Sequence, residues 1–529
     1  MTLTRRTLAG AAMTALAVPL MAAGRIRSPD AVVGSPRALT RNGPVIGARD
    51  GAICVFKGLR YGADTGPLRF RPPAPPVPWT QPVEAVDYGP ACPQRGSEPN
   101  LSEDCLFLNV WTPGPDAERR PVMVYIHGGA YATGSGSDPQ YDGTRLARRG
   151  DVVVVTLNHR LNLFGYAYLA RIAGEGFAAS GNVGQLDLIQ ALEWVRDNIA
   201  AFGGDPDRIM LFGQSGGGAK IATLMATPAA AGLFHRAATM SGQQVTASGP
   251  LNATVRARAW LEALELTPER AGEVMTLPVE RLLAAAASVQ DPVLGYGGLY
   301  FGPVLDDVVL HRHPFYPDAP PQSADIPMII GNTRDETLAF MGNDPANAGL
   351  TWETLPGRMT AAIMRVDIAP ETVIVEYRRL YPDWSPDQVL IAASTAARSW
   401  RGAVIEAEAR AVQGAPAFVY QLDFPATLAN GRSGAFHTAD IPLVFDNVQA
   451  PGSRTTGPGA QAVADRMSDA FIAFARSGDP NSAGLPTWRP YDLAQRETMV
   501  FDTVPHTERD PRGAERRLFA RVPYVQPGT

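Results

Sequence analysis

LFGQSGGGAK, residues 211–220, follows an apolar run and precedes IATLMA, which predicts a β-strand that ends and an α-helix that begins within a glycine-rich turn. Such a turn can hold a phosphate on the first amides of the helix, or it can expose a serine as a nucleophile. The phosphate-loop pattern fails because alanine rather than lysine follows Gly218, and the dinucleotide pattern fails because Ser215 replaces its second glycine. The pattern G-x-S-x-G is met from Gly213 to Gly217. The turn is therefore predicted to expose Ser215.

The composition of the whole chain limits its partners. The 529 residues are 45% hydrophobic and 19% charged, which is typical of a globular protein with a large core. The net charge is only -5, and the sequence has no long basic or acidic block. Nucleic acid and anionic membranes are therefore not expected as main partners, because both attract strongly basic surfaces. A small-molecule ligand is expected instead.

The first 24 residues, MTLTRRTLAGAAMTALAVPLMAAG, have the pattern of an export signal. The pair Arg5 and Arg6 precedes an uncharged, alanine-rich stretch, and it resembles the twin-arginine type of bacterial signal. A transmembrane anchor is the alternative, but Gly10 and Pro19 make the stretch short and only mildly apolar. The protein is thus expected to be periplasmic or secreted, with residues 25–529 as a single domain and no stable insertion into a membrane.

Three cysteines in an exported chain indicate one disulfide and one spare thiol. Cys92 and Cys105 flank a short polar stretch, and a bridge between them would stabilise the fold by roughly 3 kcal/mol on the chain-entropy model. Cys54 lies in GAICVFKGL, which alternates like a strand, and is predicted to be a buried free thiol. A catalytic role for Cys54 is the alternative, but no histidine lies near it in sequence.

Five short β-rich runs predict successive strands of one sheet. They are nearly continuous in apolar residues, as expected for strands covered by helices on both faces, so the fold class is α/β with a parallel or mixed sheet. Residues 251–290 and 343–412 look helical and irregular, and we expect them to form a cap beside the sheet edge where ligands bind. The five runs are VMVYIHGG from residue 122, VVVVTLNHRL from 152, RIMLFGQS from 208, MIIGNT from 328 and FVYQLDF from 418.

A serine at such a turn needs a histidine as base, and the histidine follows it in the chain after the acid. His235 lies too close to Ser215 for an intervening strand and acid loop. The pair His311 and His313 has a spacing that suits metal ligands, but the segment has no acidic or cysteine partner. His437 follows a glycine-rich loop after the last predicted strand, which makes it the best candidate base. Its alternative role is that of a buried structural histidine.

The acid is expected just past a strand between the serine and the histidine. Asp335 and Glu336 both follow the strand MIIGNT, and the residues alone do not separate them, since either carboxylate can accept the imidazole N–H.

Backbone amides that stabilise an oxyanion are expected after the first predicted strand. Gly128, Gly129 and Ala130 follow it without bulky side chains, and Gly216 would add the amide next to the serine.

These motifs together resemble the type-B carboxylesterase family, which includes bacterial esterases, liver carboxylesterases and cholinesterases. Besides HGGAY and FGQSGGG, the resemblance covers SEDCLFLNVW from residue 102, GNVGQLDLIQALEWVRDNIAAFGGDP from 181 and FGPVLDD from 301. It implies an α/β-hydrolase fold with a mostly parallel sheet and helical caps. The residues that it implies are a Ser215, Glu336 and His437 triad, an oxyanion hole at Gly129, Ala130 and Gly216, and the Cys92–Cys105 bridge.

The resemblance predicts hydrolysis of carboxylic esters through an acyl-enzyme on Ser215, without a cofactor or a metal ion. The chain departs from the family at Gln214 and Gly216, where glutamate and alanine are usual. The stretch between Cys92 and Cys105 also lacks an aromatic residue. Both the ring and the charge that favour a cation are thus missing, so neutral esters are expected. The alternatives are an inactive adhesion or binding relative and an amide-cleaving hydrolase of the same fold.

Overall fold

The computed structural model describes residues 34–526 and 528. The predicted export signal, residues 1–24, lies outside these residues. Residues 36–529 make up one compact unit, and of the other unit, residues 1–35, only the last two residues are described.

The strands of the described residues form three sheets. In chain order they are β1 Arg37–Thr40, β2 Gly43–Ile46, β3 Ala48–Asp50, β4 Ile53–Arg60, β5 Val83–Glu84, β6 Phe107–Thr112, β7 Arg120–Ile126, β8 Val153–Leu157, β9 Gly204–Gln214, β10 Arg236–Met240, β11 Met328–Thr333, β12 Ala417–Leu422, β13 Ala426–Thr427, β14 Ser433–Gly434, β15 Glu497–Phe501 and β16 His506–Arg509.

The large sheet has the strand order β16-β15-β12-β11-β10-β9-β7-β8-β6-β4-β3. Neighbours from β8 to β15 in this order are parallel, and the pairs at both flanks are antiparallel. All five predicted runs are strands of its parallel part. The predicted α/β-hydrolase fold with a mostly parallel sheet is confirmed. Because the carboxyl ends of parallel strands share one edge, the loops after β7, β9, β11 and β12 meet there.

The α-helices flank the large sheet or cover its edge. In chain order they are α1 Thr144–Gly150, α2 Asn162–Tyr166, α3 Ala170–Ala173, α4 Val183–Asn198, α5 Gly216–Ala226, α6 Pro250–Ala263, α7 Val279–Ser288, α8 Leu338–Met341, α9 Leu355–Arg358, α10 Ala361–Met364, α11 Pro370–Leu380, α12 Pro386–Thr395, α13 Arg401–Gln413, α14 Ile441–Val444, α15 Ala460–Ser477 and α16 Gly513–Phe519. The segments predicted as caps contain α6 and α7 in the first and α9 to α13 in the second.

The side chains of β7 show why the sheet needs helices on both faces. Val122, Val124 and Ile126 pack into one core together with residues of α4 and α5. Met123 and Tyr125 point the other way, into a second core that includes residues of α15. Every residue of β7 is buried. A strand buried on both faces reads as a continuous apolar run, and such strands hold the loops at their carboxyl ends rigidly.

Candidate active site

Ser215 occupies the sharp turn between β9 and α5. Its backbone has φ 56° and ψ −126°, a region that non-glycine residues rarely adopt, and its N–H donates to the Met240 carbonyl at 2.7 Å. The neighbouring glycines allow the turn to pack tightly. A Cβ at Gly217 would lie 1.9 Å from the Ile126 carbonyl oxygen, and one at Gly242 would lie 1.8 Å from the Ser215 carbonyl oxygen. Ser215 lines a cavity of about 190 Å³.

Glu336 and His437 are in direct contact at the wall of the same cavity. The Glu336 Oε2 atom lies 2.5 Å from His437 Nδ1, while Oε1 accepts the Thr333 N–H at 2.8 Å and the Asn332 amide at 3.1 Å. Burial favours the neutral acid, but the facing His437 charge and these hydrogen bonds outweigh it, so the pKa of Glu336 lies below its ordinary value. The group is therefore a carboxylate aimed at the imidazole.

Asp335 contacts the backbone of Ala435, whereas Glu336 contacts the imidazole of His437. Its carboxylate accepts the Ala435 N–H at 3.1 Å, and its own N–H donates to the Ala435 carbonyl at 2.8 Å. Burial raises the pKa of Asp335 above its ordinary value. Of the two carboxylates that the sequence left open, Glu336 contacts the imidazole, and Asp335 holds the loop that carries His437.

The loop after β7 brings backbone amides to the serine. Gly129 has φ 86° and Ala130 has φ 53°, and a Cβ at Gly129 would lie 2.2 Å from the Thr133 carbonyl oxygen. Ala130 and Gly216 line the cavity beside Ser215. The N–H groups of Gly129, Ala130 and Gly216 have no hydrogen-bond acceptor among residues 34–526 and 528. They are the donors that an oxyanion would need, with Gly129 set one residue back from the cavity wall.

Gly216 itself is required by the approach of this loop. A Cβ on residue 216 would lie 2.0 Å from the Ala130 carbonyl oxygen, which is backbone and cannot swing aside. Glycine at position 216, where alanine is usual, therefore goes together with a close approach of the loop to α5.

Gln214 lies behind the imidazole. Its side-chain nitrogen is 3.4 Å from His437 Nδ1 and 3.3 Å from Nε2. Similar distances to both ring nitrogens place the amide over the face of the ring rather than in its plane. A neutral side chain thus covers the imidazole at the position where the family usually has a carboxylate.

A buried lysine contacts the backbone at the start of the loop after β7. Lys220 in α5 is fully buried, its Nζ donates to the His127 carbonyl at 3.2 Å, and it lies 5.6 Å from the centre of the Tyr131 ring. Burial lowers the pKa of Lys220 to about 7. Burial, followed by the nearby Lys220 charge, lowers the pKa of His127 to about 3. Sequence analysis missed this residue, although Lys220 is the one charged residue in α5, a signal that was available.

The cap side of the cavity has an aromatic ring and a cation. The Phe340 ring centre lies 5.1 Å from that of His437, and the Arg398 guanidinium lies over the Phe340 ring at 5.5 Å. Arg398 and Ser399 both line the cavity, and both belong to the π-helix Ala396–Trp400 between α12 and α13. Sequence patterns did not indicate any of these side chains.

The other histidines downstream of the serine lie away from the site. His235 and His313 each accept a backbone N–H through Nδ1, at 3.2 and 3.1 Å, and His311 and His506 are exposed. Within the described ranges, no three His, Cys, Asp or Glu residues are arranged to hold a metal ion. The same residues include no helix that is long and apolar enough to cross a membrane.

The predicted Cys92–Cys105 disulfide is not formed in this structure. Both residues are buried free thiols, and hydrogen bonding with Cys92, followed by burial, raises the pKa of the Cys105 thiol well above its ordinary value. The Cys92 sulfur also accepts the Leu161 N–H at 3.2 Å. The two sulfurs thus lie side by side as hydrogen-bonding groups.

The loop between these cysteines is held by ion pairs instead of a covalent bond. Asp104 pairs with Arg60 at 2.6 Å, and Glu103 pairs with Arg69, which is largely buried. These contacts tie the loop to the rest of the fold without a bridge. Cys54 is a buried free thiol, as predicted.

The chain is similar to known proteins over most of its length. The model of the carboxylesterase family matches residues 34–518. The chain is 34% identical to the para-nitrobenzyl esterase of Bacillus subtilis, over 91% of this chain and 98% of that protein. It is 33% identical to a phenmedipham hydrolase of Pseudarthrobacter oxydans, over 89% and 95% of the two chains. The crystal structure of a Geobacillus stearothermophilus carboxylesterase is similar, with a TM-score of 0.82 and 38% identity over 91% of this chain and 99% of that one.

Proposed function

Because the chain belongs to the carboxylesterase family and is a carboxylic ester hydrolase, we propose that Ser215 is its nucleophile, His437 its general base and Glu336 the acid that orients the base. The observation that carries this assignment is the 2.5 Å contact between Glu336 and His437 at the wall of the cavity that Ser215 lines. An inactive binding relative would have no need of these three groups in one cavity.

The reaction proceeds in two steps. His437 takes the proton of the Ser215 hydroxyl as its oxygen attacks the ester carbonyl, and then gives that proton to the departing alcohol. The acyl group is left on Ser215. Water attacks this acyl-enzyme while His437 takes its proton, and the carboxylic acid leaves with the serine restored. Glu336 accepts the Nδ1–H throughout, which fixes the tautomer and stabilises the imidazolium.

The oxyanion of each tetrahedral intermediate is bound by the N–H groups of Gly129, Ala130 and Gly216. Their lack of acceptors in the described residues supports this role. Removing one such donor typically costs on the order of 3 kcal/mol in the transition state. The Lys220 contact with the His127 carbonyl holds the strand end from which this loop departs.

The substrates are esters without a cationic group. Glu336, which His437 engages, is the one acidic residue among those that line the cavity, and Arg398 adds a positive charge to the same wall. A quaternary ammonium would meet a cation and no free carboxylate there. Gln214 places a neutral amide beside the imidazole, at a position where a glutamate would add a negative charge.

The protein acts outside the cytoplasm. The pair Arg5 and Arg6 and the alanine-rich stretch that follows support export of the folded chain. Replacing both arginines with lysine in the full chain should retain the activity in the cytoplasmic fraction of expressing bacteria. Unchanged export of that variant would contradict this assignment.

A panel of substrates tests the proposed activity. Purified protein is assayed with p-nitrophenyl esters of rising acyl length, with a choline ester and its uncharged isostere, and with the matching p-nitroanilides. We expect turnover of the uncharged esters, a lower kcat/KM for the choline ester than for its isostere, and little cleavage of anilides. Anilide cleavage that matches ester cleavage would favour the amide-cleaving alternative, and no turnover of any ester would favour the inactive relative.

A further inference from the structure

The π-helix Ala396–Trp400 directs two polar residues into the active-site cavity. It lies in an otherwise regular helical run between α12 and α13, and Arg398 and Ser399 are its cavity-lining residues. A π-turn widens a helix locally and changes the direction of its side chains, and such turns are frequent at functional sites. The backbone irregularity and the cavity lining thus coincide at the same two positions.

Arg398 has no hydrogen-bonding partner in the part of the chain that the structure describes. None of its N–H groups donates to a protein oxygen there, and no carboxylate pairs with it; its guanidinium lies over the ring of Phe340. Two fully buried arginines elsewhere in the fold are paired with carboxylates instead. Arg160 donates to both oxygens of Asp187 at 2.6 and 2.8 Å, and Arg256 pairs with Asp291 at 2.6 Å.

A second arginine, Arg365, lies near Arg398. Burial, followed by the charge of Arg365, lowers the pKa of Arg398 to about 10, so the guanidinium is still charged at neutral pH. Arg365 donates to the Ala362 carbonyl and stacks over the Tyr296 ring, without a carboxylate among the residues 34–526 and 528. The acidic residue nearest to this wall, Glu336, is engaged by His437.

An unpaired, partly desolvated guanidinium gains most from a bidentate anion that arrives with the ligand. Carboxylate matches the planar fork of arginine, and charge-assisted hydrogen bonds are roughly twice as strong as neutral ones. The Phe340 ring separates Arg398 from the imidazole, so the bound anion would lie about one aromatic ring away from the reacting ester. A chain of several carbons between ester and carboxylate spans that gap.

We propose that Arg398 determines specificity by binding a carboxylate that the substrate itself carries, so that the enzyme prefers half-esters of dicarboxylic acids to the corresponding neutral diesters. This rests on the proposed ester hydrolysis in the same cavity. It narrows the expected class of substrate from esters without a cationic group to esters with an acidic group at the far end of the acyl chain.

The test compares monomethyl adipate with dimethyl adipate as competing substrates for one enzyme sample, per ester bond. The ratio of kcat/KM values does not depend on the amount of active enzyme, so a partly folded variant still gives a valid ratio. We expect the wild type to prefer the half-ester, and Arg398→Gln to lower that ratio about tenfold, mainly through KM of the half-ester. Arg398→Lys should keep part of the preference, because the charge remains without the fork.

Arg378→Gln is the matched control. Arg378 also stacks on an aromatic ring, that of Trp352 at 4.7 Å, but it is exposed and does not line the cavity. Its substitution should leave the ratio unchanged. If the wild type and Arg398→Gln have the same ratio of kcat/KM for the half-ester and the diester, and both still hydrolyse dimethyl adipate, the proposed role of Arg398 is wrong. The proposed ester hydrolysis would not be affected by that result. If the wild type hydrolyses neither adipate ester nor any p-nitrophenyl ester, the proposed function fails first.

Discussion

The two walls of the active-site cavity differ in how their polar groups are partnered. At the wall formed by strand ends, the Glu336 carboxylate has hydrogen bonds from the backbone, from an amide side chain and from His437. At the wall formed by cap helices, Arg398 has none in the described residues. The protein thus orients the reacting groups before any ligand binds, whereas the recognition group is left for the ligand to pair.

This division has a physical reason. Catalytic groups lower a reaction barrier most when folding has already oriented them, because no free energy is then needed to orient them during the reaction. A recognition group gains affinity from the ligand only if no protein group already satisfies it.

Loss of the nucleophile should remove activity without removing the fold. Ser215→Ala is expected to lower kcat by about 10⁴-fold or more, because the acyl-enzyme cannot form. The melting temperature should change little, since the half-buried hydroxyl makes no hydrogen bond within the described residues. Activity on p-nitrophenyl butyrate and thermal unfolding are measured together. A variant that keeps near-normal turnover would refute the assignment.

The two adjacent carboxylates should differ strongly. Glu336→Gln keeps the size of the side chain but leaves His437 without its negative partner, and should lower kcat by about 10³-fold to 10⁴-fold. Asp335→Asn retains an acceptor for the Ala435 N–H and should cost less than tenfold. Steady-state kinetics of both variants give the ranking. The reverse order would assign the acid to Asp335.

The buried Lys220 should make stability depend on pH. Its pKa is about 7 in the folded protein against 10.5 ordinarily, so between these values the unfolded chain binds a proton that the folded one does not. The free energy of unfolding should therefore rise with pH across this window, by up to about 1.4 kcal/mol per pH unit, and show no such contribution below pH 7.

Lys220→Met removes the titrating group, so a comparison of this variant with the wild type isolates the contribution of Lys220. The difference in unfolding free energy between wild type and variant, from urea curves at pH 6 to 10, should shift in favour of the wild type as pH rises above 7. Titrations of groups that do not interact with Lys220 cancel in that difference. A difference that stays constant over the range would mean that the lysine is charged, and hence solvated, in the folded state.

The smallest effect is expected from restoring the usual family residue beside the imidazole. Gln214→Glu adds a negative charge near His437 and should raise kcat/KM for a choline ester, relative to its uncharged isostere, by about threefold. The effect is small because Arg398 remains in the cavity. Competition between the two esters measures the ratio. An unchanged ratio would show that the charge does not act on the cation, because an effect on the base is shared by both esters and cancels.

The strand-end wall could be predicted from sequence because its determinants are local. A glycine-rich turn after an apolar strand predicts Ser215, and parallel strands bring their carboxyl ends to one edge, so Glu336 and His437 were expected to meet despite the hundred residues between them. The choice between Asp335 and Glu336 came from family resemblance alone. The contacts of their side chains depend on a loop from elsewhere in the chain.

The helical wall and the cysteines could not be predicted in the same way. Whether Arg398 has a partner depends on the positions of carboxylates from many segments, and a π-turn has no sequence pattern of its own. The burial of Lys220 depends on the loop that covers α5. The spacing of Cys92 and Cys105 indicated a bridge, but both are free thiols in this structure, and ion pairs with Arg60 and Arg69 attach the end of that loop to the fold.

Trapping of the acyl-enzyme tests directly whether Ser215 is the nucleophile. The protein is mixed with p-nitrophenyl trimethylacetate, whose bulky acyl group leaves slowly, and the burst of p-nitrophenolate is recorded before acid quenching and mass spectrometry. We predict a burst of one equivalent per enzyme and one added acyl group, located by peptide mapping on Ser215, with neither in Ser215→Ala. An acyl group on another residue, or an undiminished burst in the variant, would contradict the account.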